Sequence, residues 1–250
     1  MLSILGMGVC CPNAKLLDLH SIQGRDVDKS LLPSGIRRRT SSNTRMAVTA
    51  AYDACQHSGI DAATLPSVFA SLGGEMQVTD SLCMVLPDQN APLSPTQFHN
   101  SVHNTTAGYW SIITGSHQPI TAIAAEFDTF AMGLLEAWCQ LQFYDGPLLV
   151  VCYDELWPQY LCPPIGKQAF ACALVLQRDD VIGESVLGKI SQPHQQSGAE
   201  KQVDEPLLTF MRAAPAAVAV PLLRAIQKGI SKDMILLSIE GYDWVVDLEV

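Results

Sequence analysis

The chain has 250 residues, enough for one large domain or two small ones with a sizeable core. Apolar residues make up 48% and charged residues only 16%, against roughly 25% charged in an average globular domain, so much of the surface must be hidden in a core or against a partner. Twenty-five acidic and 15 basic residues leave a net charge of −10, which argues against a general nucleic-acid binder and against an anionic membrane surface.

No apolar run reaches a membrane span; the longest candidate, 213–223, is short and holds Pro215 and Pro221. The opening MLSILGMGVCC has no Lys or Arg before it and no clean cleavage site, so it reads as a strand rather than a signal peptide. The cysteines are Cys10, Cys11, Cys55, Cys83, Cys139, Cys152, Cys162 and Cys172. None forms a C-x-x-C pair and most lie in apolar stretches, which predicts reduced thiols in a cytoplasmic protein.

Residues 2–10 read as a buried strand, followed by a polar, Pro- and Gly-punctuated stretch from Pro12 to about Thr44. Helical spacing of Met46, Ala47, Ala50, Ala51 and Ala54 predicts a helix over 45–58, with Ser42 or Asn43 as cap and Gly59 at its end. Residues 67–73 read as a second buried strand and 78–87 as a short helix. A two-piece helix over 96–114 ends at Gly115, a third buried strand spans 119–125, and a helix covers 129–143. Strands at about 147–153 and 169–177 follow, expected to be adjacent and antiparallel. Continuous apolar strands alternating with helices indicate an α/β sheet covered on both faces. Beyond Arg178 a polar loop is expected to about residue 204, then helices kinked at Pro215 and Pro221, then a hairpin over 234–250 turning near Gly241.

Several constellations invite a chemical reading, and each has a plainer one. Gly6-Met7-Gly8 after a strand matches the start of a dinucleotide fingerprint, but Cys11 replaces the third glycine and Pro12 follows it. His99 and His103 are spaced for one helix face and a metal, yet nothing nearby completes a ligand set; a packed or hydrogen-bonded pair is preferred and no metal is expected. Asp154-Glu155 at a strand end reads as solvated at a loop edge rather than catalytic. Arg37, Arg38 and Arg39 form a basic cluster in an acidic chain, either solvated or facing an anionic partner. No G-x-S-x-G elbow and no P-loop is present. The strand-to-helix turn Glu126-Phe127-Asp128-Thr129 has the place of a nucleophile elbow but offers no thiol, and no hydroxyl before the helix; Asp128 suits an N-cap.

The sequence resembles the N-terminal half of β-ketoacyl synthases, and within them the short ketosynthase-like chain-length factors of aryl polyene and related polyketide-type pathways. The resemblance rests on ILGMGVCCP, RMAVTAAYDACQHSGI, VFASLGGE, FACALVLQR and, most specifically, SPTQFHNSVHNTTAGYWSIITGSHQPITAIAAEFDTFAMGLLEA; it covers about 1–178. It implies half of a thiolase-like fold, a mixed five-stranded sheet flanked by helices. A helical and hairpin tail, 179–250, would pack on or beside it. Counted without gaps from Pro119, the family's nucleophilic cysteine falls on Phe127. The second half that supplies the family's two histidines has no counterpart of comparable size in the 72 residues after Arg178, which hold only His194.

What the resemblance then implies is a catalytically inactive subunit without cofactor, paired in the cytoplasm with a ketosynthase and helping to set acyl chain length. The implied interface and tunnel residues are Phe98, His99, Asn100, His103, Asn104, Tyr109, Trp110, Ile120, Ala122, Ala124, Phe127 and Asp128. An acyl carrier protein would approach mainly the partner while touching Arg37 to Arg39. The competing expectations are a truncated acyltransferase or malonyl-carrier decarboxylase using Glu126, Asp128 or a histidine of the 99/103 pair, and a homodimeric scaffold.

Overall fold

A computed structural model describes residues 1–87, 92–161, 167–179, 186–196, 203–238 and 242–250. Cys162 and Gly241 lie outside the described residues.

The first strand, β1 (Leu2–Cys10), pairs antiparallel with β5 (Phe170–Arg178), which pairs antiparallel with β4 (Leu148–Asp154). Next to β4 come β2 (Ser67–Ala70) and the edge strand β3 (Ile120–Ile123), both parallel to it. These five strands form the expected mixed sheet, in the order β3-β2-β4-β5-β1. They read as continuous apolar runs because both faces are covered. Leu149, Val151 and Tyr153 of β4 enter one core with Phe69, Ala171 and Ala173; Leu148, Val150 and Cys152 enter the other with Val68, Cys172 and Leu174.

The first of these cores is closed by α3 (Ser42–Ser58) and α6 (Thr105–Thr114), the second by α7 (Thr129–Leu141) and the tail helices. Ser41 caps α3, accepting from the Thr44 N–H at 2.9 Å, one residue before the expected cap, and left-handed Gly59 ends the helix. Alanines 47, 50, 51 and 54 let α3 lie directly on β1. A Cβ on Gly8 would stand 2.0 Å from the Ala50 carbonyl oxygen, and one on Gly6 2.2 Å from that of Ala54. The glycines of GMG therefore admit a helix backbone, not a pyrophosphate.

The tail extends the same sheet. The expected loop over 179–204 instead contains β6 (Gly188–Ile190), paired with β1, and β7 (His194–Gln195). Both lie along β9 (Trp244–Glu249), whose other side carries β8 (Lys232–Leu236). Such short polar strands carry little periodicity, so their pairing is invisible locally. Helix α8 (Glu205–Ala213), a 3-10 turn at Pro215–Ala219 and α9 (Val220–Lys228) cover the second core. Pro215 opens the turn, while Pro221 sits in the first turn of α9 without breaking it. Before α3, the polar stretch includes the short helices α1 (Ala14–Leu19) and α2 (Ser34–Arg37); between β2 and α6 lie α4 (Met76–Val85) and α5 (Pro95–Asn100).

Candidate functional site

The turn between β3 and α7 keeps the shape of an elbow. Glu126 takes a left-handed conformation (φ 48°), uncommon for a side chain other than glycine. A single 3-10 turn, Glu126–Asp128, leads into α7. Thr129 fastens it: its hydroxyl donates to the Glu126 carbonyl at 2.6 Å and accepts from the Ala125 N–H at 3.0 Å. Asp128 does not cap α7 as expected, because the 3-10 turn gives it compact rather than extended backbone angles. Its Oδ2 accepts instead from the Tyr242 N–H (3.4 Å), and the Ser238 hydroxyl donates to the Phe127 carbonyl (3.2 Å). The tail is thus bonded to the turn between β3 and α7. Phe127 itself is half-buried, and Cys139 is exposed on α7 well downstream.

A second constellation lies at the ends of β2 and β4. Asp154 and Glu155 are buried, not solvated at a loop edge, and they meet Glu75, which spacing alone did not single out. Asp154 Oδ1 accepts from the Ser71 hydroxyl (2.9 Å) and the Gly73 N–H (3.1 Å), and Glu155 Oε1 from the Gln77 N–H (2.8 Å). Glu75 Oε1 accepts from the hydroxyls of Thr44 (2.8 Å) and Thr106 (3.1 Å). Burial outweighs these bonds: the Asp154 carboxyl is pushed up to about 7 and that of Glu155 to about 8, while Glu75 is raised by the same desolvation. Three carboxyl groups so arranged stitch the loop 71–77 to α3, α6 and β4. The signal in the sequence was GGE beside DE, each unremarkable alone.

That loop also holds a histidine. His103 Nε2 lies 2.8 Å from the Ser71 carbonyl oxygen, whereas His99 Nδ1 lies 3.1 Å from Asn100 Oδ1. The two rings are therefore engaged with different partners rather than aimed at one ion, and no metal-holding group of three occurs among the described residues. Asn100 joins three elements, accepting from the Tyr109 hydroxyl (3.0 Å) and donating to the Arg39 carbonyl (2.5 Å). Tyr109 and Trp110 are buried in the chain's own core, Trp110 edge-on to Tyr52; Asn104 and Phe98 are exposed. Arg37, Arg38 and Arg39 are exposed beside α5 through that Asn100 bond.

The elements around β3 present an open, apolar surface. The carbonyls of Pro119 and Ile123 accept from the N–H groups of Ser67 in β2 and of Ser71 just after it. Alternation along a strand then turns the N–H and C=O of Ile120 and Ala122 to the open side, with Ala124 next in step. Expected as buried, this strand is half-buried throughout, since only β2 pairs with it. Helices α6 and α7 pack against it; α6 exposes Ile112, and α5 beyond it exposes Phe98.

The family model for the β-ketoacyl synthase N-terminal domain matches residues 13–223. The chain belongs to this family. No relative is found among curated protein sequences. Among solved structures, the chain is similar to one from the ketosynthase (ApeO) in complex with its chain length factor (ApeC) from Xenorhabdus doucetiae. That match has 20% identity and TM-score 0.69, covering 100% of this chain and 99% of the other. A type II polyketide synthase complex, AntDE:AntF, matches at 11% identity and TM-score 0.74 over 99% of this chain and 98% of that one. The ishigamide ketosynthase/chain length factor matches at 13% identity and TM-score 0.59 over 92% of this chain and 74% of that one. At such identities the likeness establishes the thiolase-like fold. Among the described residues no helix is long and apolar enough to cross a membrane.

Proposed function

We propose that this family member is the non-catalytic chain-length factor of a β-ketoacyl-carrier-protein synthase, in an aryl polyene or similar polyketide-type pathway. The observation that carries the reading is one juxtaposition: a strand-to-helix elbow that carries Phe127 and no thiol, beside a sheet edge left open. Phenylalanine can neither carry an acyl thioester nor move a proton. An uncharged edge strand invites a partner strand, and exposed Ile112 and Phe98 would be covered with it. The likeness to chains from ketosynthase and chain-length-factor complexes supports the same reading.

In this reading the partner ketosynthase supplies nucleophile and histidines, and residues 1–178 supply the pairing surface. Phe98 reaches the partner and limits its acyl tunnel, while Tyr109 and Trp110 hold α6 in position behind it. The acidic carrier protein docks mainly on the ketosynthase and touches Arg37 to Arg39 at the margin, since a net charge of −10 repels it elsewhere.

Native mass spectrometry of the chain expressed alone and with its neighbouring ketosynthase tests the pairing. The expected result is a stoichiometric heteromer; a stable homodimer that ignores the ketosynthase would overturn the proposal. Within an intact complex, Phe98→Ala should lengthen or blur the product distribution. Turnover of malonyl-carrier protein by the isolated chain, lost on Asp128→Ala, would instead make the Glu126–Asp128 turn catalytic.

A further inference from the structure

The tail contains a cavity unrelated to the elbow or the open edge. It has a volume of about 430 Å³ and lies between α8, α9 and the start of β8. That volume falls inside the roughly 300–1,000 Å³ of small-molecule sites. Its apolar side chains include Leu207, Pro221 and Ile230, and its cations are Arg224, Lys228 and Lys232.

The local fold explains why the three cations meet. Arg224 and Lys228 are four residues apart, so they lie on one face of α9, one turn from each other. Gly229 ends α9 in a left-handed turn, which reverses the chain into β8 and returns Lys232 to the same cavity. None of the three takes part in an ion pair among the described residues, although acidic side chains outnumber basic ones in the chain. The one carboxylate at the rim, Asp204, is already engaged as the N-cap of α8, accepting from the Leu207 N–H at 2.9 Å. Three cations without an ion-pair partner among the described residues, over an apolar floor, suit a ligand with an anionic head and a hydrocarbon body. A purely inorganic anion would leave the floor wet, and a neutral lipid would leave the cations without a counter-charge.

We infer that the cleft between α8, α9 and β8 binds a small anionic amphiphile, an aliphatic chain of roughly eight carbons ending in a carboxylate or phosphate. The proposal goes beyond the partner reading and does not rest on it. The cleft opens at Lys232, and the elbow is bonded through Ser238, about 20 Å further along extended chain.

Isothermal titration of the full chain with octanoate, octyl phosphate, inorganic phosphate and octanol tests this. Saturable binding of octanoate or octyl phosphate, weakened by salt, is the expected result, and which of the two binds more tightly identifies the head group. The triple variant Arg224→Gln/Lys228→Gln/Lys232→Gln should weaken that binding at least tenfold. Ile230→Asp, a change at an exposed site, should do the same with the positive charges intact; an unchanged thermal midpoint shows that each variant is folded. No saturable binding by either amphiphile overturns the proposal. So does equal binding of inorganic phosphate or octanol, or binding that survives both variants.

Discussion

The two ends of the sheet are built by opposite rules. At one end, β8 opens with Lys232 and Asp233, carries a left-handed Met234 (φ 52°) and shifts register between Lys232 and Ile235. Charge and a bulge both discourage a further strand. At the other end, β3 reads Ile-Thr-Ala-Ile with no charge and no shift in its pairing with β2, and it presents free backbone groups at Ile120 and Ala122. The chain therefore finishes its sheet through the tail and leaves it continuable at β3. That asymmetry suits the pairing role proposed above, in which β3 would accept a partner strand while β8 refuses one.

The contrast breaks first if the closed end fails. Val246 is fully buried on β9, between the strands that finish the sheet. Val246→Asp places an unpaired charge in the core beside α8 and α9, and should cost about 3–5 kcal/mol in urea unfolding. Ala122→Pro at the open end should behave differently. Its N–H faces away from β2, so the isolated chain should lose less than about 1 kcal/mol, as proline is tolerated on an edge. The ketosynthase complex, however, should weaken roughly ten- to hundredfold, the cost of one buried hydrogen-bonding group left unpaired. Titration of each variant against the partner by native mass spectrometry separates the two effects. A proline that leaves the complex intact would show that β3 is not the pairing strand.

Between the ends, pH sharpens the picture. Asp154 and Glu155 hold their protons up to about 7 and about 8 because burial disfavours their ions, whereas both lose them near 4 when unfolded. The folded state then binds more protons than the unfolded one over that interval. Stability should be full below about pH 4 and fall as pH rises through the raised values, by at most about 1.4 kcal/mol per pH unit for each proton held. Asp154→Asn keeps an oxygen acceptor for Ser71 and Gly73 but has no proton to lose, so its urea midpoint should depend less on pH between about 4 and 7. A variant with an unaltered slope would mean that Asp154 is ionised in the folded chain.

The sequence displays those parts whose causes are local. The alanine spacing of α3, the left-handed glycines that end α3 and α6, and the apolar runs of β1, β4 and β5 are each caused within a few residues. The elbow around Phe127 was equally legible, because a short strand, a turn and a helix follow one another within a few residues. The carboxyl cluster was not. The donors that reach Asp154 and Glu155 sit about eighty residues earlier, at Ser71, Gly73 and Gln77, so a pair that spacing places in solvent is in fact enclosed. Asp128 failed as a cap because the 3-10 turn before α7 sets its backbone angles, and the donor its carboxylate takes instead, the Tyr242 N–H, lies far along the chain. Strands β6 and β7 are held by backbone pairing with β1 and β9, which leaves no pattern in their side chains.

The smallest expected effect concerns the closed edge. Asp233 is exposed on β8 and forms no ion pair among the described residues, so Asp233→Val should change the chain's stability by no more than about 0.5 kcal/mol. Its consequence should be seen between molecules instead. Removing a charge from an outer strand takes away one obstacle to strand addition while the bulge at Met234 remains. Weak, concentration-dependent self-association is therefore expected in sedimentation velocity, absent from the parent chain studied with its partner bound. If the variant stays unassociated, the backbone kink at Met234 alone closes this edge, and the difference between the two ends of the sheet is written in conformation rather than in charge.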